Sequence, residues 1–301
     1  MTQDQNYQRA SRVVFMSSPH RGPRTRLDAF LDYIGRTLIS AGLLLLAFVA
    51  YQLWGTNISE GRAQSQLETQ FRSQSGAIPV YGGTVGKIAI PSIDVEKWIV
   101  AGAGYKELER GPGLFAGSPL PGQLGNVAIA GHRTTFGAPF GRIDEVKDGD
   151  IITITTSTDT FEYTVKGSPE IVDASDVHVI KTKDKTVAQL TLVSCHPKWT
   201  SRDRIIVRAF LSSSTPAQPP TVFEPTSTDA EVLNEGWFHD PSAWPGVIGL
   251  ALLLIGIAIG AVLIRRTGRS PWVVYPITAM IFAPVLYIFF GYLTRLLPTN
   301  L

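Results

Sequence analysis

Three long stretches of this chain carry no charged side chain, and they fix what the rest of it can fold into. Residues 37–59, 241–264 and 270–294 are each without Asp, Glu, Lys and Arg. About 20 apolar residues suffice to cross the ~30 Å hydrocarbon core of a bilayer as a helix, so three transmembrane α-helices are expected. The first stretch is preceded by Arg21, Arg24, Arg26 and Arg36, and the other two are separated by Arg265, Arg266 and Arg269. Cytoplasmic flanks are enriched in Lys and Arg, so both clusters predict a cytoplasmic location. The residues between the first and second spans then lie on the extracytoplasmic side. The polar lead before the first span is longer than the n-region of a secretory signal, and no Ala-x-Ala site follows directly, so an uncleaved signal-anchor is expected. Trp54, Trp237, Trp244 and Trp272 fall near the span ends, where interfacial aromatics collect.

Composition divides the remainder. Residues 60–71 are polar, lack Pro and are rich in good helix formers, which predicts a juxtamembrane helix or stalk. Residues 212–229 are dense in Ser, Thr and Pro, a composition that buries no core and reads as a linker back to the membrane. The expected order is therefore a cytoplasmic tail at 1–36, a signal-anchor at 37–54, a stalk at 55–76 and an extracytoplasmic domain at 77–211. A linker at 212–240, a span at 241–264, a cytoplasmic loop at 265–270, a span at 271–294 and an extracytoplasmic tail at 295–301 complete it. With 27 basic against 25 acidic side chains, no whole-molecule field favours nucleic acid.

Within 77–211, β-rich runs at 85–90, 97–101, 126–130, 150–156, 160–166, 187–195 and 204–211 alternate with Gly, Pro and Asp. Short strands at such spacing predict a mainly β domain, a barrel or a sandwich. Helical pattern is limited to 105–108 and 138–146. A segment of about 135 residues buries a core of its own without disulfides.

The single cysteine, Cys195, closes the run 188–195 and is followed by His196 and Pro197. On the extracytoplasmic side thiols normally end in disulfides, and one with no intrachain mate points to a reactive group. Attack on a carbonyl requires the thiolate, whereas an unperturbed thiol with pKa ~8.5 is mostly protonated at neutral pH, so a cation or a base must stand nearby. Of the five histidines, His20 falls in the cytoplasmic tail, His239 at the membrane entry, and His178 reads as structural. His196 neighbours Cys195 on an extended run, where adjacent side chains face opposite ways. His132 ends the apolar run 127–131 and stands where a loop begins, which suits it best. An oxyanion also needs donors. Arg204 follows Cys195 after a short excursion and returns to the same end of the sheet if 188–195 and 204–211 form a hairpin. Arg202 and Arg208 are rivals on spacing, and Asp203 beside Arg204 offers a surface ion pair as the plainer explanation.

These residues also carry a resemblance. Thr191-Leu192-Val193-Ser194-Cys195, with an arginine shortly afterwards and before Ile205-Ile206-Val207, resembles the Thr-Leu-x-Thr-Cys signature of the sortases, bacterial cysteine transpeptidases. The segment 125–140 around His132 is similar to the sortase histidine segment in the form found in class E sortases of actinobacteria, and Cys-His-Pro points the same way. The resemblance covers about residues 84–211. It implies the sortase-type closed β-barrel with short helices, Cys195 as nucleophile, His132 as acid/base and Arg204 as the residue that steadies substrate or oxyanion. Ser194, Thr134 and Phe136 become candidate substrate-binding residues, and no cofactor or metal is implied. Ser194 departs from the family's Thr, keeping the hydroxyl and losing a methyl that restricts the rotamer.

The implied activity is cleavage of a Leu-Pro-x-Thr-Gly-like or Leu-Ala-x-Thr-Gly-like sorting signal between Thr and Gly through a Cys195 thioester. The acyl group passes to an amine. The implied partners are sorting-signal-bearing surface proteins and, as acceptor, a peptidoglycan precursor or a pilin lysine. The implied place is the multi-pass membrane of a Gram-positive bacterium. Class C enzymes, which join pilins, often have a carboxyl-terminal span as this chain does, but no Asp-Pro-Trp or Asp-Pro-Phe lid precedes His132, so wall anchoring is preferred. The competing readings are a hydrolase, in which water resolves the thioester, and a non-catalytic surface binding domain with a buried thiol. Other signals fall away. Residues 82–87 lack the Ser or Thr of a phosphate loop, and 102–104 lack the third glycine of a dinucleotide fingerprint. Asp144, Glu145, Asp148 and Asp150 read as a solvated acidic turn.

Overall fold

The computed structural model describes residues 25–73, 79–212, 217–219, 221 and 241–296. The expected tail at 1–24, residues 74–76, most of the linker, His20, Trp237, His239 and the last residues lie outside the described part. Contacts divide the chain into two compact units, 1–47 and 48–301. The described part of the first is α1 (Arg26–Ala50) as far as Ala47. The second begins in the last turn of that helix and continues through a π-helical segment (Tyr51–Gly55) into α2 (Thr56–Ser73).

Nine strands follow: β1 (Thr84–Ile90), β2 (Val95–Ala101), β3 (Gly113–Leu114), β4 (Gly125–Ala130), β5 (Ile151–Thr155), β6 (Thr160–Val165), β7 (Glu170–Asp173), β8 (Ala188–His196) and β9 (Asp203–Leu211). Eight of them close a ring in the order β6-β5-β1-β2-β3-β4-β8-β9, with β9 pairing back onto β6. The structure is therefore the mainly β closed barrel. Closure removes sheet edges, and β7 lies outside the ring on the free start of β9. The pairings β2–β3 and β4–β8 are parallel, and the rest are antiparallel. Two strands have no counterpart among the seven sequence runs. β3 is two residues long and too short to alternate, while β7 is an exposed edge strand with acidic ends. The helix expected over 138–146 is a single 3₁₀ turn (Ile143–Glu145), because Gly137 and Ala138 at φ 74° and 41° and Gly141 interrupt a helix there.

Period-two alternation gives the barrel two cores. Inward residues such as Val127, Ile129, Leu190, Leu192, Ile205 and Val207 fill the interior with Ile88, Ile152, Phe161 and Tyr163. Ala128, Ala130, Val193, Cys195 and Ile206 point outward and are covered by Ala103, Leu108, Phe115 and Val179. α3 (Tyr105–Leu108) and the 3₁₀ turn Val177–Val179 thus roof one stretch of wall.

α2 packs on the barrel. Leu67 is fully buried, and Gln64 accepts from Trp98 N at 2.7 Å while donating to Trp98 O at 3.0 Å and Arg110 O at 2.8 Å. The Phe71 ring packs tilted against Trp98, 4.7 Å between centroids, and Glu60, almost wholly buried, takes Lys97 Nζ at 2.7 Å. At the other end, α4 (Trp244–Arg266) and α5 (Pro271–Leu296) pack as a hairpin, with Gly246 leaving room for the Tyr292 ring. Among the described residues, three helices are long and apolar enough to cross a membrane: Arg26–Ser73, Trp244–Arg266 and Pro271–Leu296.

Candidate active site

Cys195 lies one residue from the end of β8, directly across from Arg204 in the β8–β9 ladder. Directly opposed residues share a face of the sheet, and both belong to the outward set that includes Val193 and Ile206. The parallel β4–β8 ladder runs to Ala130 opposite Val193, and Gly131 N donates to Val193 O at 3.1 Å just beyond it. Carrying that register two residues further sets His132 beside Cys195, in phase with outward Ala128 and Ala130. Three adjacent strands thus bring His132, Cys195 and Arg204 to one end of one face. All three are buried, at 4%, 0% and 8% exposure.

The strand ends are held from within. Ser194 faces the interior, and its hydroxyl donates to Gly131 O at 2.7 Å, the peptide just before His132. Gly131 is required there, because a Cβ would fall 2.6 Å from the Phe140 ring. Farther down the same ladder, Asn126 Oδ1 accepts from Thr191 Oγ1 at 2.7 Å, and Asn126 Nδ2 donates to Val179 O at 3.1 Å. This tie fastens the roof turn to the β4–β8 pair.

Arg133 is a residue that sequence reasoning passed over. Its side chain is 3% exposed, and Nη2 pairs with Asp144 at 2.7 Å. Nη1 donates to Cys195 O at 3.2 Å and lies 3.2 Å from His196 Nδ1. Burial pushes the Asp144 carboxyl up, but hydrogen bonding to Arg133 and the positive charge of Arg133 and Lys198 outweigh it and hold it below the usual carboxylate range. No single-sequence signal marks Arg133, since its partners lie 11 and 62 or more residues away.

The rival arginines separate cleanly. Arg202 is 79% exposed and pairs with Asp203 at 3.0 Å, so the ion pair expected of Asp203 forms with Arg202. Arg208 pairs with Glu170 and lies opposite Thr191, four residues, or about 13 Å, along the strand from Arg204. Arg204 Nη1 donates to Ser201 O at 2.9 Å and Asp203 O at 3.2 Å, and its buried Nε donates to no described protein atom.

A cavity of about 740 Å³ opens over this end of the barrel. His132, Thr134 and Phe136 line one wall, the β8–β9 loop another, and Gln52 and Thr294 a third. The third wall is closed by Gln52 Nε2 donating to Thr294 Oγ1 at 3.2 Å. Cys195 and Arg204 are not among its lining residues. Of the other histidines, His178 is exposed on its 3₁₀ turn. Asp148 and Asp150 accept from backbone N–H groups of Gly167 and Lys147, and Glu145 is bound to Arg142. Among the described residues no three or more His, Cys, Asp or Glu side chains gather as a metal site.

The family model of the sortase domain matches residues 88–212. Sortase SrtE1 of Streptomyces coelicolor is 33% identical over 196 residues, covering 58% of this chain and 55% of that protein. Sortase SrtE2 of the same organism is 28% identical over 203 residues, covering 59% of this chain and 80% of that protein. The structure of sortase E from Streptomyces avermitilis is 32% identical and covers 44% of this chain and 91% of that one, with a TM-score of 0.41. The similarity to the sortase domain covers residues 88–212, and the relatives that match are sortases, SrtE1 and SrtE2 among them. This chain spans a little over half the length of SrtE1. Its sortase relatives are cysteine transpeptidases, and this chain has a buried Cys195.

Proposed function

We propose that this chain is a membrane-anchored cysteine transpeptidase that joins sorting-signal-bearing proteins to an amine of the cell wall, with Cys195, His132 and Arg204 as its catalytic residues. The observation that carries this reading is the Cys195–Arg204 register with His132 at the adjoining strand end, on one face and next to one cavity. Cys195 passes its thiol proton to His132, the resulting thiolate attacks the carbonyl carbon of the signal's Thr, and the C=O electron pair moves onto oxygen. Arg204 supports that oxyanion, its Nε being a buried donor that no described protein group uses. Collapse expels the Gly amine, which takes a proton from His132, and leaves a thioester. An incoming amine then attacks, giving its proton to His132, and the new amide forms as the thiolate leaves. Because Cys195 is fully covered, substrate entry requires part of its cover to yield.

The membrane readings are part of the proposal: residues 37–54, 241–264 and 271–294 span, 1–36 and 265–270 are cytoplasmic, and 77–211 is extracytoplasmic. Thiol labelling of a cysteine introduced at Thr267 from the cytoplasmic face alone is the expected result, and labelling from outside would reverse the orientation. The activity is tested by incubating the full chain with Leu-Ala-x-Thr-Gly and Leu-Pro-x-Thr-Gly peptides plus a glycine-based amine or a lysine peptide. Mass spectrometry of the products is the readout. Cleavage after Thr with capture of the glycine amine, absent in Cys195→Ala, is predicted. Capture of lysine alone would move the assignment to pilin joining, release of the free acid despite added amine to hydrolysis, and cleavage undiminished in Cys195→Ala would end the reading.

A further inference from the structure

The loop after His132 is held in a backbone form its residues disfavour. Phe136 and Ala138 lie at φ 50° and 41° on either side of Gly137 at φ 74°, a left-handed run that side chains with a Cβ rarely adopt unless their surroundings enforce it. The enforcement comes from the start of α2. Phe136 N donates to Thr56 Oγ1 at 3.1 Å, and Gly137 N donates to Asn57 Oδ1 at 2.9 Å. Both side chains are themselves fixed. The Thr56 hydroxyl, fully buried, donates to Gln52 O at 2.8 Å, and Asn57 Nδ2 donates to Leu53 O at 3.3 Å. Their donors are thereby committed to the π-helical segment, and their acceptors are left to the loop. Below it the Glu60 carboxylate fills the space over Gly137, where a Cβ would come within 2.6 Å of Oε2.

This clamp reaches His132 through one side chain. The Phe136 ring lies 5.1 Å from the imidazole centroid with 34° between the planes, so the residue whose amide Thr56 holds is also the one whose ring limits imidazole rotation. The far side of the clamp is gripped by the last span. Tyr287 Oη donates to Gly55 O at 3.0 Å, and Gln52 is tied to Thr294. π-Helical turns inside α-helices recur at functional sites, and this one turns two carbonyls toward the residues that carry the clamp.

We propose that Thr56 and Asn57 are positioning residues for His132, acting through Phe136 and Gly137, and that the carboxyl-terminal hairpin steadies them through Tyr287 and Thr294. The proposal rests on the reading of His132 as the acid/base. It is tested on the full chain in detergent with Thr56→Val, which keeps the shape and removes the acceptor, Thr56→Ser, which restores it, and Asn57→Ala. The readouts are kcat and KM for a sorting peptide, the pH profile of iodoacetamide alkylation at Cys195, and thermal stability. Thr56→Val is expected to lower kcat ~10-fold or more with KM within about twofold, because small displacements of a reacting group cost that much. It should also shift the alkylation profile toward that of His132→Ala, while Thr56→Ser stays near the parent. If Thr56→Val fails to fold, Asn57→Ala, whose side chain is exposed, carries the same expectation in smaller degree. Unchanged kcat and alkylation profile in a folded Thr56→Val or Asn57→Ala protein, or equal losses in the Val and Ser variants, would overturn the proposal. A His132→Ala protein with undiminished kcat and an unaltered alkylation profile would instead remove the reading on which it stands.

Discussion

Arg204 differs from Arg202 and Arg208 in register, burial and partners, and the proposed function rests on that difference. Arg204 is the one set across from Cys195, while Arg202 is spent on Asp203 at the surface and Arg208 on Glu170. Loss of a positioned oxyanion donor typically costs ~10²-fold or more. Arg204→Ala should therefore lower kcat/KM by about that factor, with Arg202→Ala and Arg208→Ala within a few-fold of the parent, as steady-state cleavage assays would read. A large loss in Arg208→Ala with none in Arg204→Ala would contradict the assignment. The neighbourhood of Cys195, Arg204 and His132 was legible in the sequence because it rests on local signals, a strand end and a hairpin return. Arg133, Thr56 and Asn57 were not, since each acts on a partner 62 to 80 residues distant and looks like any loop or helix polar residue. Ser194 acquires a specific meaning only in the fold. Its hydroxyl ties the nucleophile strand to the peptide before His132, which the shorter side chain does as well as Thr would.

At the scale of elements, α2 packs onto the barrel as part of the same fold. The sequence predicted a helix there from composition, but its polar face concealed the docking. One apolar residue, Leu67, is buried outright, and the other anchors are Gln64, Glu60 and a ring pair. Leu67→Ala should cost about 2–5 kcal/mol, the range for emptying a core leucine site, read as a lower midpoint in denaturant unfolding. A chain of residues 77–211 alone should unfold at a lower temperature than one of residues 56–221, since it strips Trp98 N and O and Arg110 O of their Gln64 partner. Equal midpoints would show α2 to be an ornament. The strands emerged from alternation wherever they were long enough to alternate. β3 and β7 escaped because one has two residues and the other is exposed along most of its length.

For the whole molecule, the last of the long apolar helices contacts the segment that leads into the barrel. The long apolar helices were readable as runs without charge, whereas the junction that couples the last of them to the barrel was not readable. It depends on a π-helical segment within a helix and on tertiary contacts from the last span, Tyr287 to Gly55 and Thr294 to Gln52. The cavity beside His132 is walled in part by that junction, through Gln52 and Thr294. The central claim is that Cys195 becomes acylated on its way to product. Intact-mass analysis of the full chain with a sorting peptide and no amine acceptor tests it most directly. The account predicts an adduct equal to the peptide up to its Thr, located on Cys195 and discharged by added glycine amine; steady turnover with no adduct on Cys195, or an adduct that persists in Cys195→Ala, would contradict it.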